Sequence, residues 1–193
     1  MNVRASLADQ GLAIGVGANL PSPAGAPLTT LLALRPLLEQ ALQAPQAPWA
    51  GARPQPLQLY WSPLYRTAPV GGPPDQPDYL NAVLLVQGTA AASEPAALQL
   101  LEQLQALEQH FQRRRLVRWG PRSLDLDLLW WDGLQLEQPR LQLPHPRWRQ
   151  RGFVLEPLRA IQSRWPAVLP WPLPPPDPAD QLERLPAGSG WPE

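Results

Sequence analysis

An α+β fold with the order strand, helix, strand, strand, helix, strand is what this 193-residue sequence predicts, and three observations carry it. Apolar runs of strand length stand at 11–16, 57–66, 79–87 and 124–131. Two leucine-rich stretches, 28–42 and 94–111, repeat their apolar residues at helical spacing. The 28 prolines fall mostly between these stretches and so mark the loops. The resulting β-α-β-β-α-β order is that of a ferredoxin-like sandwich, an antiparallel sheet with its helices on one face. A C-terminal extension follows. The length suits a single core, so one domain is expected over 11–172, between a flexible leader at 1–10 and a Pro-rich tail at 173–193.

Taken in order, GLAIGV (11–16) reads as the first strand, and GANL (17–20) as a tight turn at its end. Leucine or alanine at 28, 31, 32, 34, 38, 41 and 42 gives the first helix one apolar stripe. The run LQLYWSPLYR (57–66) reads as a long strand interrupted at Pro63, which marks an edge or a bulge. In YLNAVLLVQ (79–87), Leu80, Ala82, Leu84 and Val86 share one face, and Tyr79, Asn81, Val83, Leu85 and Gln87 the other. Ser93 can cap the second helix, with Glu94 and Pro95 in its first turn. Its expected stripe is Leu98, Leu101, Leu104, Leu107 and Phe111. After the strand at 124–131, residues 134–137 suit a short strand, and 147–160 a helix around Gly152. From Trp165 onward proline is too frequent for regular structure, although Trp165 and Trp171 can dock on the body.

Composition narrows the function classes. Lys plus Arg and Asp plus Glu are both 16, which argues against a broad nucleic-acid or membrane surface. Lysine is absent, so cationic contacts to phosphate must come from arginine, histidine or a metal. Cysteine is also absent, which excludes disulfides and thiolate metal sites. No apolar run approaches the ~18 residues of a membrane span, and a soluble, cytoplasmic, monomeric protein is the expectation.

The chemistry concentrates in RWGPRSLDLDLLWW (118–131). Strand alternation puts Asp125 and Asp127 on one face and Leu124, Leu126 and Leu128 on the other. Two carboxylates about 6–7 Å apart on a strand repel by roughly 2–3 kcal/mol at an effective dielectric of about 20. A divalent cation or the neighbouring Arg118 and Arg122 can offset that repulsion. Mg²⁺ favours one or two carboxylates completed by phosphate oxygens and water. Removing one carboxylate should then ease the free protein slightly. Most Asp-x-Asp pairs are solvated or salt-bridged, so the neighbouring segments must decide.

Those segments, in order, are GANL (17–20), SPLYRT (62–67), DQPDYLNA (75–82), RWGPRSLDLD (118–127) and LPH (143–145) with RGF (151–153). Together they closely resemble the 6-hydroxymethyl-7,8-dihydropterin pyrophosphokinases of folate biosynthesis over about residues 11–172. The string at 118–127 is the most specific part. Ala18 and Ser123 depart mildly from the family pattern, where Ser and Thr are usual. The resemblance implies transfer of pyrophosphate from ATP to the hydroxymethyl group of the reduced pterin alcohol, with release of AMP. It implies two Mg²⁺ ions held by Asp125 and Asp127, and catalytic roles for Arg113, Arg122, Asp125 and Asp127. The pterin would meet Thr67, Val70, Tyr79, Asn81, Trp119 and Phe153. ATP would meet Gln105, Glu108, Arg115, Trp119, Arg122, Leu128, Arg140, His145 and Arg151. A non-catalytic ferredoxin-like module would need no Asp pair beside convergent arginines. A relative that had lost activity would usually lack an Asp or Arg122, and all are present.

Overall fold

The computed structural model describes residues 11–50, 56–113, 117, 119–175, 177, 182–186 and 190–192. The leader at 1–10, together with Arg115 and Arg118, lies outside these described residues. The chain runs through β1 (Leu12–Ala18), α1 (Pro27–Leu42), β2 (Gln58–Trp61), β3 (Tyr65–Thr67), β4 (Tyr79–Gln87), α2 (Glu94–His110) and β5 (Asp125–Trp131). It continues through β6 (Leu136–Glu137), β7 (Gln142–Leu143), α3 (Gly152–Arg164) and β8 (Leu182–Arg184). The main sheet has the order β5-β1-β4-β3-β8, with β2 also pairing to β4, and every pairing is antiparallel. The ferredoxin-like α+β fold is therefore present.

Period-two alternation in β1 and β4 sorts the core into two layers. Leu12, Ile14, Val16, Ala82, Leu84 and Val86 face α1 and α2, whereas Ala13, Val83 and Leu85 face α3. Helices thus cover both faces of the sheet rather than one. Leu155, Leu158 and Ile161 of α3 supply the second layer, with Trp165 and Trp171 docked at its edge.

Three local readings change. Alternation along β5 breaks after Leu128, because Ile14 pairs with Leu128 but Ala13 pairs with Trp130. The extra residue is a β-bulge. It sends Leu128 and Trp131 to the helix-pair layer and Leu129 and Trp130 to the α3 layer. In α2 the buried stripe is Ala96, Ala97, Leu100, Leu104 and Glu108. Two alanines let this helix lie close, and Leu98, Leu101 and Leu107 move to its half-buried flanks. The Pro-rich tail also contains regular structure. Residues 182–184 form β8 on the edge of β3, and Trp191 is buried. Main-chain pairing to a preformed edge sustains a strand whose own composition would not.

Candidate active site

A cavity of about 100 Å³ opens on the α3 face of the sheet, where β5, β1, β4 and β3 end beside the start of α3. Thr67, Val70, Tyr79, Asn81, Trp119, Arg122, Asp125, Asp127, Arg151 and Phe153 all line it. Ten residues expected from the sequence therefore converge. Four strands at about 4.8 Å spacing make the site roughly 14 Å wide, enough for two chemically distinct halves.

The β5 half is ionic. Asp125 Oδ2 accepts from Arg122 Nη1 at 2.5 Å, and Asp125 Oδ1 lies 2.5 Å from Arg113 Nη2. Asp127 Oδ2 accepts from Arg151 Nη1 at 3.2 Å. Burial raises the Asp125 carboxyl above its usual range, and the charge of Asp127 adds to that, while Arg113 and Arg122 oppose it. Burial pulls the Arg122 guanidinium down, yet Asp125 outweighs this and leaves it raised. Arg151 stands at the N-cap of α3, where the helix dipole disfavours a cation. Asp127 offsets that cost, and an anionic ligand would do the same.

The β4 and β3 half is uncharged. Asn81 is buried and its Nδ2 donates to Thr67 Oγ1 at 2.8 Å. The Tyr79 hydroxyl donates to the Gly120 carbonyl at 3.1 Å. Burial raises the Tyr79 phenol, so it stays neutral. Phe153 faces this half from the first turn of α3, with the Arg151 guanidinium 5.3 Å from its ring centre.

Two loops meet over the cavity. Trp119 has φ of 56° and lies against Gly71. A Cβ on Gly72 would sit 2.2 Å from the Trp119 carbonyl oxygen, and its φ is +82°, so only glycine permits this approach. Gln76 Nε2 donates to the same oxygen at 3.1 Å, and Arg147 lies 5.0 Å from the centre of the Trp119 ring. The cavity is smaller than the ~300–1,000 Å³ of a typical ligand site, and residues of both loops line it.

The remaining expected residues lie outside the cavity. Glu108 is buried under α2, where its Oε1 accepts from Leu126 N at 2.8 Å and pairs with Arg113. Arg113 is only 5% exposed in its side chain. In this state Glu108 and Arg113 therefore brace Asp125 from behind. Gln105 borders a separate hollow with Glu108 and Arg113. The Leu128 side chain is in the core, which leaves only its backbone for a ligand. Arg140 pairs with Glu102 at the surface, 3.2 Å apart.

His145 lines a neighbouring recess with Trp130, Trp148 and Arg149. Its Nδ1 accepts from Arg147 N at 3.2 Å, which leaves Nε2–H as a donor. Burial, reinforced by Arg151, lowers its pKa from the ordinary 6.5 to about 4. The folded state thus prefers neutral imidazole, and the unfolded state takes up a proton first. The resulting stability is present above pH 6.5 and lost as pH falls towards 4. The slope is at most about 1.4 kcal/mol per pH unit, and less where solvent screens the ring. His145→Gln should flatten the fall in unfolding free energy between those pH values. Parallel denaturation profiles for parent and variant would contradict this.

Sequence reasoning missed three residues. Gly15 and Gly17 line the cavity, and a Cβ on Gly17 would come within 2.6 Å of Asn81 Oδ1. Glycines alternating with Ile14 and Val16 were the available signal. Asn19 reads as a turn residue but ties three segments together. Its Oδ1 accepts from Arg122 N at 2.7 Å, and its Nδ2 donates to the Pro77 carbonyl at 3.0 Å. Its own N–H also donates to the Arg122 carbonyl.

Residues 13–163 match the family model for 7,8-dihydro-6-hydroxymethylpterin-pyrophosphokinase. A 2-amino-4-hydroxy-6-hydroxymethyldihydropteridine pyrophosphokinase of Synechocystis is 46% identical over 101 residues, 52% of this chain and 48% of the relative. The like-named protein of Haemophilus influenzae is 42% identical over 102 residues, 53% of this chain and 60% of the relative. That of Pseudomonas aeruginosa is 46% identical over 97 residues, 50% of this chain and 56% of the relative. The chain thus spans about half to three fifths of the length of these relatives. With most of its length matched by the family model, the chain belongs to the 7,8-dihydro-6-hydroxymethylpterin-pyrophosphokinase family.

Proposed function

We propose that this chain transfers the pyrophosphoryl group of ATP to the hydroxymethyl group of 6-hydroxymethyl-7,8-dihydropterin and releases AMP, as a step of folate biosynthesis. The observation that carries this reading is the two-sided cavity. Asp125, Asp127, Arg122 and Arg151 stand on one side, and Asn81, Tyr79, Thr67 and Phe153 on the other. A flat neutral heterocycle needs a ring to stack on and an amide that both donates and accepts. A triphosphate needs cations and fixed donors. All these groups come from one copy of the chain, which fits a monomer. No helix among the described residues is long and apolar enough to cross a membrane.

The Asp pair fits Mg²⁺. Among the described residues no cluster of three or more Asp, Glu, His or Cys side chains stands ready for a metal. Two carboxylates completed by phosphate oxygens and water are what Mg²⁺ accepts. Asp125 and Asp127 would hold two such ions, whose positive charge would offset that of the ATP phosphates. Until then Arg113, Arg122 and Arg151 hold the charge of the carboxylates. Arg122 and Arg151 line the cavity, where their guanidinium forks would bind phosphate oxygens. Asn81, Tyr79 and Phe153 hold the pterin so that its hydroxymethyl oxygen meets the β-phosphorus, and positioning of this kind supplies most of the catalysis.

The loops 67–78 and 112–122, of which 114–116 and 118 lie outside the described residues, should open to admit substrates and order over both of them, which excludes water from the reacting phosphate. Hydrogen exchange should show both loops gaining protection only with nucleotide and pterin together, and equal protection with and without ligands would contradict this. Incubation with ATP, Mg²⁺ and the reduced pterin alcohol should yield AMP only when all three are present. No AMP, or AMP formed at the same rate without the pterin, would overturn the proposal.

A further inference from the structure

Residues 182–186 and 190–192 lie beyond the stretch matched by the family model, which ends at residue 163, yet the first of them join the sheet. β8 extends the sheet beyond β3 with the register Tyr65 to Arg184, Arg66 to Glu183 and Thr67 to Leu182. Leu185 N continues the pairing by donating to the Leu64 carbonyl at 2.8 Å. Gly190, with φ of +84°, turns the chain over Leu32 of α1. Trp191 is then 5% exposed. Its ring meets Trp61 edge-on at 5.0 Å, and its Nε1 donates to the Ser62 carbonyl at 2.8 Å.

Ser62 is the point where β2 gives way to β3. Its N–H donates to the Val83 carbonyl, and Val83 N donates to its Oγ at 2.9 Å. β3 itself is only three residues long, and without β8 it would form the sheet edge. Short edge strands fray, and local opening is easiest where few partners hold the backbone. The last residue of β3 is Thr67, whose hydroxyl holds Asn81. The Asp125 and Asp127 half lies three strands away, on β5.

We infer that residues 182–186, together with residues 190–192, act as a strap that positions the heterocycle half of the site through β3, with Trp191 as its anchor. Trp191 does not line the cavity, so it is a positioning residue. The substrate assignment rests on the proposed function, whereas the mechanical part does not.

The test uses the full chain carrying Trp191→Ala or Trp191→Phe. In Trp191→Ala, backbone amides of 65–67 should exchange about tenfold faster, while those of 125–129 keep their rates. Calorimetry should show affinity for the reduced pterin alcohol falling about five- to tenfold, with ATP affinity within about twofold. KM for the pterin should rise more than kcat falls. Trp191→Phe, which keeps an aromatic ring against Trp61, should recover most of the pterin affinity. Unchanged exchange at 65–67, equal acceleration at 65–67 and 125–129, or equal weakening of both substrates would overturn the strap. Should Trp191→Ala fail to fold, Trp191→Phe decides by the same readouts, through smaller shifts confined to 65–67 and the pterin. A parent protein that binds no pterin would overturn the proposed function, and exchange at 65–67 would still decide the strap.

Discussion

Alanine at Asp127 is expected to lower turnover at least about a hundredfold while leaving the fold as stable as before or slightly more so. Groups fixed where charge must be stabilised typically cost about 10²–10³ in rate when removed. Asp127 is half-exposed and, among the described residues, tied to Arg151 alone, at 3.2 Å, and its charge disfavours ionisation of Asp125. Asp125→Ala should cut turnover as deeply but cost stability. It takes away one of the two carboxylates that hold Arg113, whose side chain is 5% exposed. Unpairing a buried ion is strongly unfavourable. Glu108 still holds Arg113, so the cost should be about 1–3 kcal/mol. The sequence reading, in which losing either carboxylate eases the protein, therefore survives only for Asp127. Urea unfolding and single-turnover rates on both variants check the pair. Near-parental turnover in either at ordinary Mg²⁺ would remove the aspartates from the chemistry.

Asn81→Ala and Arg122→Ala should fail in opposite ways. Asn81 lies in the uncharged half and is held by Thr67 at 2.8 Å. Its loss leaves edge groups of the heterocycle unpaired, which typically costs about 1–3 kcal/mol. Pterin affinity should drop by that amount while ATP affinity of the free protein stays within about twofold. Arg122 sits in the ionic half, 2.5 Å from Asp125. Alanine there should spare pterin binding and slow the chemical step about 10²–10³-fold. Calorimetry with each ligand separates the two. Stronger damage to nucleotide than to pterin binding in Asn81→Ala would invert the map.

Elements whose apolar period is long and uniform were legible in the sequence. Residues 79–87 form the strand their alternation demands, and 28–42 lie in a helix that buries Leu31, Leu34, Leu38 and Leu42 of the expected stripe together with Thr30, while Leu28, Leu32 and Ala41 are half-buried. Features set by a partner were not. The bulge at Leu128 depends on how β5 meets β1, and every residue there is apolar, so alternation carries no signal. The face of α2 was misread because leucines were weighted above alanines, and because Glu108 turns inward only to meet Leu126 N and Arg113. β8 exists through β3. At the site, motifs named the side chains that converge but not their resting partners. Arg113, Arg122 and Arg151 hold carboxylates, an arrangement visible only once Glu108, Asp125 and Asp127 are placed in space.

The most direct measurement follows the phosphates themselves. In a single turnover with Mg²⁺, the reduced pterin alcohol and ATP labelled at the γ-phosphate, the label should appear in a pterin diphosphate while unlabelled AMP is released. With Asp127→Ala in place of the parent protein, both signals should fall together, at least about a hundredfold. Label in a pterin monophosphate alongside ADP, or label released only as free phosphate, would contradict attack at the β-phosphorus and with it the function proposed for this site.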